Sequence, residues 1–181
     1  MRVPHSIEPA TSGRAKCRGC GRPIDKGELR LGERLPNPYA ESEMTLWFHP
    51  TCAAYKRPEA LLEALAAIGV AVDARDTLEA AARKSLGHRR LPRIDGAERA
   101  PRGQAKCRSC REPIARGTWR VRLVFFEEGR FARSGFVHLD CSTAYFETGD
   151  VADAILHFSP DLGDADREDL VRAMRPPAAE P

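Results

Sequence analysis

Cys17-x-x-Cys20 and His49-x-x-Cys52 set three thiols and one imidazole at the spacing of a tetrahedral metal site. The set returns as Cys107-x-x-Cys110 and His138-x-x-Cys141, and the two sets together use all six cysteines of the chain. Zn²⁺ takes thiolate sulfur and imidazole nitrogen without a geometric preference of its own, so a Cys3His set suits it. Four protein ligands close the coordination sphere and leave no position for water or substrate. Two structural Zn²⁺ ions are therefore expected. The other chemistry open to Cys-x-x-Cys is a redox dithiol, which gives neither His-x-x-Cys pair a role. His5, His88 and His157 have no companion at ligand spacing. No Ser-His-Asp arrangement, phosphate-cradling glycine loop or carboxylate pair stands out. The expectation is a protein that is not an enzyme and takes no small-molecule substrate.

The ligands sit inside a longer repeat. Ile24 and Gly27 follow the first Cys-x-x-Cys at the offsets of Ile114 and Gly117 after the second, and Arg30 matches Arg120. A gapless match of this length indicates duplication, with one domain per copy. The reading is α+β: two small zinc-stabilised modules in tandem, each a short antiparallel sheet followed by helices. The first module is assigned to residues 5–87, a basic linker to 88–94, the second module to 95–175 and a disordered tail to 176–181. Modules of this size bury little surface, and bound metal is a common staple for them.

The elements that must carry the ligands follow from periodicity. Leu29 and Leu31, then Trp119, Val121 and Leu123, alternate with polar residues as strands with one buried face do. Glu128-Gly129 reads as a turn between two strands. Pro36, Asn37 and Pro38 read as a loop, and residues 44–48 as the returning strand that delivers His49. Helices are expected behind each His-x-x-Cys. Their apolar faces are Leu61, Leu62, Leu65 and Ile68 in the first module and Val151, Ala154, Ile155 and Phe158 in the second. Asp73 and Asp164 read as helix starts, ahead of Leu78, Ala82 and Leu86 and of Leu170, Val171 and Met174.

Composition narrows the class. With 42% hydrophobic and 30% charged residues the chain reads as globular. No apolar run approaches the roughly 20 residues of a membrane span, so no membrane partner is expected. The first six residues lack the apolar core of a signal peptide. Reduced thiols in an intracellular compartment are the expectation. The net charge is only +3, but its distribution is uneven. Arg14, Lys16 and Arg18 crowd the first knuckle; Lys106 and Arg108 crowd the second. A basic face on each module fits a polyanion; the other reading is a surface on which Arg is simply the favoured cation.

The run from Ile7 to Cys17, with Cys20, Ile24, Gly27, Arg30, Trp47-Phe48-His49 and Cys52, resembles the zinc finger of poly(ADP-ribose) polymerases, which is also found in a nuclear DNA ligase. Residues 7–52 carry the likeness closely and residues 98–141 less so. The resemblance implies sequence-independent recognition of DNA strand breaks, in repair or damage sensing, without a catalytic domain. A repair enzyme is then an expected partner. Its implied location is DNA-associated: nucleoid in a bacterium, nucleus in a eukaryote. It implies a phosphate contact for Arg14 and groove contacts near the break for Arg30 and Arg120. Tyr39, Met44 and Phe131 are the candidates for stacking on an exposed base pair, each against the alternative of an ordinary packed side chain. The second copy departs from the family pattern. Gln104 stands in place of arginine, and Gly135-Phe136-Val137 precedes its histidine. The competing function is a tandem zinc adaptor that binds another protein.

Overall fold

The computed structural model describes residues 5–69 and 71–175. The tail expected at 176–181 lies outside them, as do residues 1–4. Two compact units divide the chain. One holds the chain as far as Pro92 together with Phe126–Ala132; the other holds Arg93–Phe125 and the chain from Arg133 onward.

The first unit is built on a three-stranded sheet, β1 (Ser6–Pro9), β2 (Leu29–Pro36) and β3 (Glu43–Phe48), in that order. All pairings are antiparallel, with Glu8 opposite Arg30 and Leu31 opposite Phe48. Leu31 and Phe48 are fully buried on one face, with Ile7 and Leu46. Two helices, α1 (Pro50–Lys56) and α2 (Pro58–Ala67), lie on the sheet, and α3 (Arg75–Gly87) packs against both of them. Pro50 and Pro58 each stand at the start of a helix, where proline's missing N–H costs nothing. Pro58 also ends α1, because the chain before it cannot continue as helix. Leu61, Leu65, Leu78 and Ala82 are buried as their spacing requires. Leu62 and Ile68 are only half-buried and Leu86 is exposed, because the covered stripe is narrower and runs through Ala60 and Ala64 instead. The third helix begins two residues later than Asp73 suggests, after Ala74 in the left-handed conformation.

The second unit repeats the plan: β4 (Ile94–Arg99), β5 (Trp119–Glu127) and β6 (Arg130–His138), in that sheet order, with Glu98 opposite Arg120. Glu128 and Gly129 both have positive φ, as the two-residue turn read between these strands requires. Within residues 88–94, Leu91 is buried in a 3-10 turn and Ile94 opens β4. A register shift separates Ile94 from Ala97. Gly96 stands there at φ +90°, and a Cβ on it would fall 2.1 Å from the carbonyl oxygen of Phe158. That close approach seats α5 (Ala152–His157) on the strand. A short α4 (Ser142–Phe146) precedes it and α6 (Asp164–Ala173) follows. Val151, Ala154, Ile155 and Phe158 are all buried. Of the last helix only Leu170 is, with Val171 and Met174 half-exposed. Arg99 of β4 ties this helix down through Asp166 and Asp169, and the Trp119 indole donates to Asp169 at 2.8 Å.

Both first strands, β1 and β4, escape a reading by alternation. They are short, and each carries a breaker, Pro9 in one and Gly96 in the other.

Candidate metal centres and basic groove

Each module delivers its ligands from three places: a knuckle turn, the end of a strand and the first turn of a helix. The knuckle carbonyl of Cys17 accepts the Gly21 N–H at 2.8 Å, and that of Cys107 accepts the Arg111 N–H at 3.0 Å. Strand β3 ends at Phe48 and hands over His49; β6 ends at His138 itself. Cys52 lies in α1, and Cys141 closes a 3-10 turn. The knuckle is pinned to the strand that carries the histidine: Arg18 N–H donates to the Trp47 carbonyl and Arg108 N–H to the Phe136 carbonyl, both at 2.8 Å.

The four ligand atoms of each set lie within 4.8 Å of one another. His49 Nδ1 is 3.4 Å from Cys20 Sγ and 3.9 Å from Cys52 Sγ; His138 Nδ1 is 3.4 Å from Cys110 Sγ and 3.8 Å from Cys141 Sγ. Tetrahedral zinc, with Zn–S near 2.3 Å and Zn–N near 2.0 Å, needs an S···N edge of about 3.5 Å. The sites fit. The far nitrogen of each imidazole, Nε2, lies 3.2 Å from a proline carbonyl, Pro23 in one site and Pro113 in the other. Donation to that carbonyl fixes the tautomer that offers Nδ1 to the metal.

In the first site the clustered ligands push one another's proton affinities apart. Hydrogen bonds with Cys17 and Cys20 raise the His49 imidazole to about 10. Hydrogen bonds with Cys17 and Cys52 drive the Cys20 thiol far down, while hydrogen bonds with Cys17 and Cys20 hold Cys52 far up. Crowded thiolates thus share protons that a dication would displace. In the second site, burial works against ionising Cys107, yet the backbone N–H groups of His138, Cys110 and Ser109 bring it down to about 6. Burial and Cys110 push Cys141 up to about 12.

Arg14, Lys16 and Arg18 are all exposed. They line one groove with Gly21, Thr45 and Trp47. Lys106 and Arg108 are exposed at the matching positions of the second module. Arg30 and Arg120, by contrast, are buried. Arg30 stacks over the Trp47 ring at 3.5 Å and pairs with Glu8 at 2.8 Å; Arg120 stacks over Phe136 at 3.5 Å and pairs with Glu98. The two pairs hold matching register positions, and the sequence offered Trp47 only as part of the family resemblance, without a role of its own. Its signal was the repeat: an aromatic two residues before each ligand histidine. Tyr39 is 76% exposed. Met44 and Phe131 are half-buried in the first unit, where Met44 lies against Gly129 and Phe131 sits edge-on to Phe48.

Residues 8–88 match the family model of the poly(ADP-ribose) polymerase and DNA-ligase Zn-finger region. The first module matches the PARP-type zinc-finger family. With its second Cys3His cluster the chain is a tandem zinc-finger module of that pattern. It is 28% identical over 142 residues to a poly [ADP-ribose] polymerase of Sarcophaga peregrina, 69% of this chain and 14% of that protein. It is 28% identical over 156 residues to poly [ADP-ribose] polymerase 1 of Gallus gallus, 76% of this chain and 15% of the other. Alignments of that length reach beyond the first module. A shorter stretch of 50 residues is 36% identical to poly [ADP-ribose] polymerase 1 of Caenorhabditis elegans, 28% of this chain and 5% of that one. The chain thus spans a small fraction of each relative's length. Among the described residues no helix is long and apolar enough to cross a membrane.

Proposed function

We propose that the chain binds DNA at strand breaks without reading sequence, as an intracellular, DNA-associated protein that works beside a repair enzyme. The observation that carries this is the exposed groove of Arg14, Lys16 and Arg18 around Trp47, in a module that matches a zinc-finger family of poly(ADP-ribose) polymerases and DNA ligases. Three cations on one rim meet consecutive phosphates, which positions a backbone and leaves base identity unread. The zinc ions hold the knuckle rigid, so the cations are presented in fixed geometry. Buried behind the groove, Arg30 stiffens Trp47, and Arg120 does the same for Phe136. The second module adds Lys106 and Arg108. Tyr39, the most exposed aromatic, is the leading candidate to stack on a base pair that a break uncovers, with Met44 and Phe131 partly covered.

The two copies differ at Arg14 and Gln104, which lie at the same offset from their knuckles. A guanidinium makes a charge-assisted phosphate contact, worth about 1.5–3 kcal/mol, against about 1 kcal/mol for a neutral amide. In a salt titration on one nicked duplex, Arg14→Ala is expected to weaken binding more than Gln104→Ala and to lower the salt slope by about 0.9. An Arg14→Ala variant with both zincs and an unchanged slope would favour the protein-adaptor reading instead.

A further inference from the structure

A site of one Zn²⁺ and three thiolates carries one net negative charge, and a charge held away from water needs a partner. The first module supplies one. Lys56 stands four residues after Cys52 on α1, one helical turn along the same face. It is 2% exposed, and its ammonium donates to the Gly19 carbonyl at 2.9 Å. Gly19 lies inside the knuckle: a Cβ on it would fall 2.9 Å from Cys52 Cβ and 3.6 Å from Cys17 Sγ. The buried cation is therefore bonded to the backbone of the knuckle that carries Cys17 and Cys20. The ring of Phe131 lies 4.9 Å from the ammonium on another side.

The second module lacks this arrangement. Four residues after Cys141 stands Tyr145, buried, whose hydroxyl accepts from Arg93 at 3.3 Å. The knuckle residue matching Gly19 is Ser109. Cys110 is exposed, whereas its counterpart Cys20 is half-buried.

We infer that Lys56 is the counter-cation of the first zinc site, and that the second site, with Tyr145 in the place of the buried lysine and open at Cys110, is where soft carbon electrophiles modify the protein. A neighbouring cation draws electron density from zinc-bound thiolates and lowers their nucleophilicity; groups just outside the ligand shell act on metal sites in this way. With an alkyl iodide, the Cys110 sulfur lone pair attacks carbon, an S–C bond forms, the C–I bond breaks and iodide leaves with the electron pair. The product thioether carries no charge and holds zinc weakly. This inference rests on the metal sites alone and stands apart from DNA binding.

The test uses the zinc-loaded full chain, limiting iodoacetamide and mass-spectrometric mapping of alkylated cysteines, with zinc release followed in parallel. Cys110 is expected to react about tenfold faster than Cys20, in line with its exposure and with the cation beside the first site. Lys56→Met is expected to raise the first site's rate by roughly tenfold and leave the second's unchanged, while Lys56→Arg keeps it slow. A Lys56→Met variant that retains two zincs and reacts at the wild-type rate overturns the proposal. If that variant loses its first zinc, the isotope-labelled wild-type chain decides. A slowly exchanging Lys56 ammonium resonance that moves when cadmium replaces zinc supports the inference. Absence of that resonance, or indifference to the metal, overturns it.

Discussion

Glu33 is 1% exposed on β2, and Arg57 holds it with three hydrogen bonds of 2.5–3.0 Å. A buried carboxylate left alone is expensive, so Arg57→Ala should destabilise the zinc-loaded protein by about 3–5 kcal/mol in urea unfolding. The second copy carries Leu123 and Phe146 at the matching positions, both buried. The double substitution Glu33→Leu with Arg57→Phe is therefore expected to be less destabilising than Arg57→Ala, because no charge is stranded. Tyr39→Ala concerns function instead. It should cost on the order of 1–3 kcal/mol on nicked DNA and almost nothing on intact duplex, whose base pairs are already stacked. Equal loss on both substrates would make Tyr39 an ordinary surface residue. At this scale the metal ligands were legible in full, because helix, strand and knuckle geometry turn a fixed spacing into proximity. The burial of Arg30 and Arg120 was not. It depends on Glu8 and Glu98 lying opposite them, a pairing that exists only once β1 and β4 are known to be strands.

Gly96 joins two elements of the second unit. Its φ of +90° suits glycine alone, and the Phe158 carbonyl occupies the space of a side chain. That same carbonyl accepts from Arg122 Nη2 at 3.1 Å. Gly96→Ala is expected to cost at least about 1–3 kcal/mol from backbone strain alone, read as a lower Tm. Gly87, the last residue of α3, has open space around it, and Gly87→Ala should be neutral or stabilise by up to about 1 kcal/mol. If the two substitutions behave alike, the seat of α5 on β4 is not where the second unit's stability is concentrated. Long alternating segments such as β5 announced themselves, and so did the Glu128-Gly129 turn. Helix faces were read too wide. Val171 and Met174 share the period of Leu170, but a ten-residue helix held at one face by Arg99 and Trp119 buries little more than a single leucine.

Two metal sites and two compact units set what the whole chain should do. Elemental analysis is expected to find two zincs per chain, and chelation to unfold the protein, because ligand binding supplies folding free energy in small metal domains. Cys17→Ala should leave one zinc. A folded chain with none would undo the assignment of both clusters. The function asks for a further measurement on the intact, zinc-loaded chain. One circular duplex is prepared covalently closed and with a single nick, and binding is compared by competition against a fluorescent nicked probe at one salt concentration. Charge, length and sequence are then identical, so phosphate attraction contributes equally to both circles. The account predicts clear preference for the nicked circle, reduced by Tyr39→Ala, while Arg14→Ala weakens binding to both circles. Equal competition by the closed and nicked circles would contradict it.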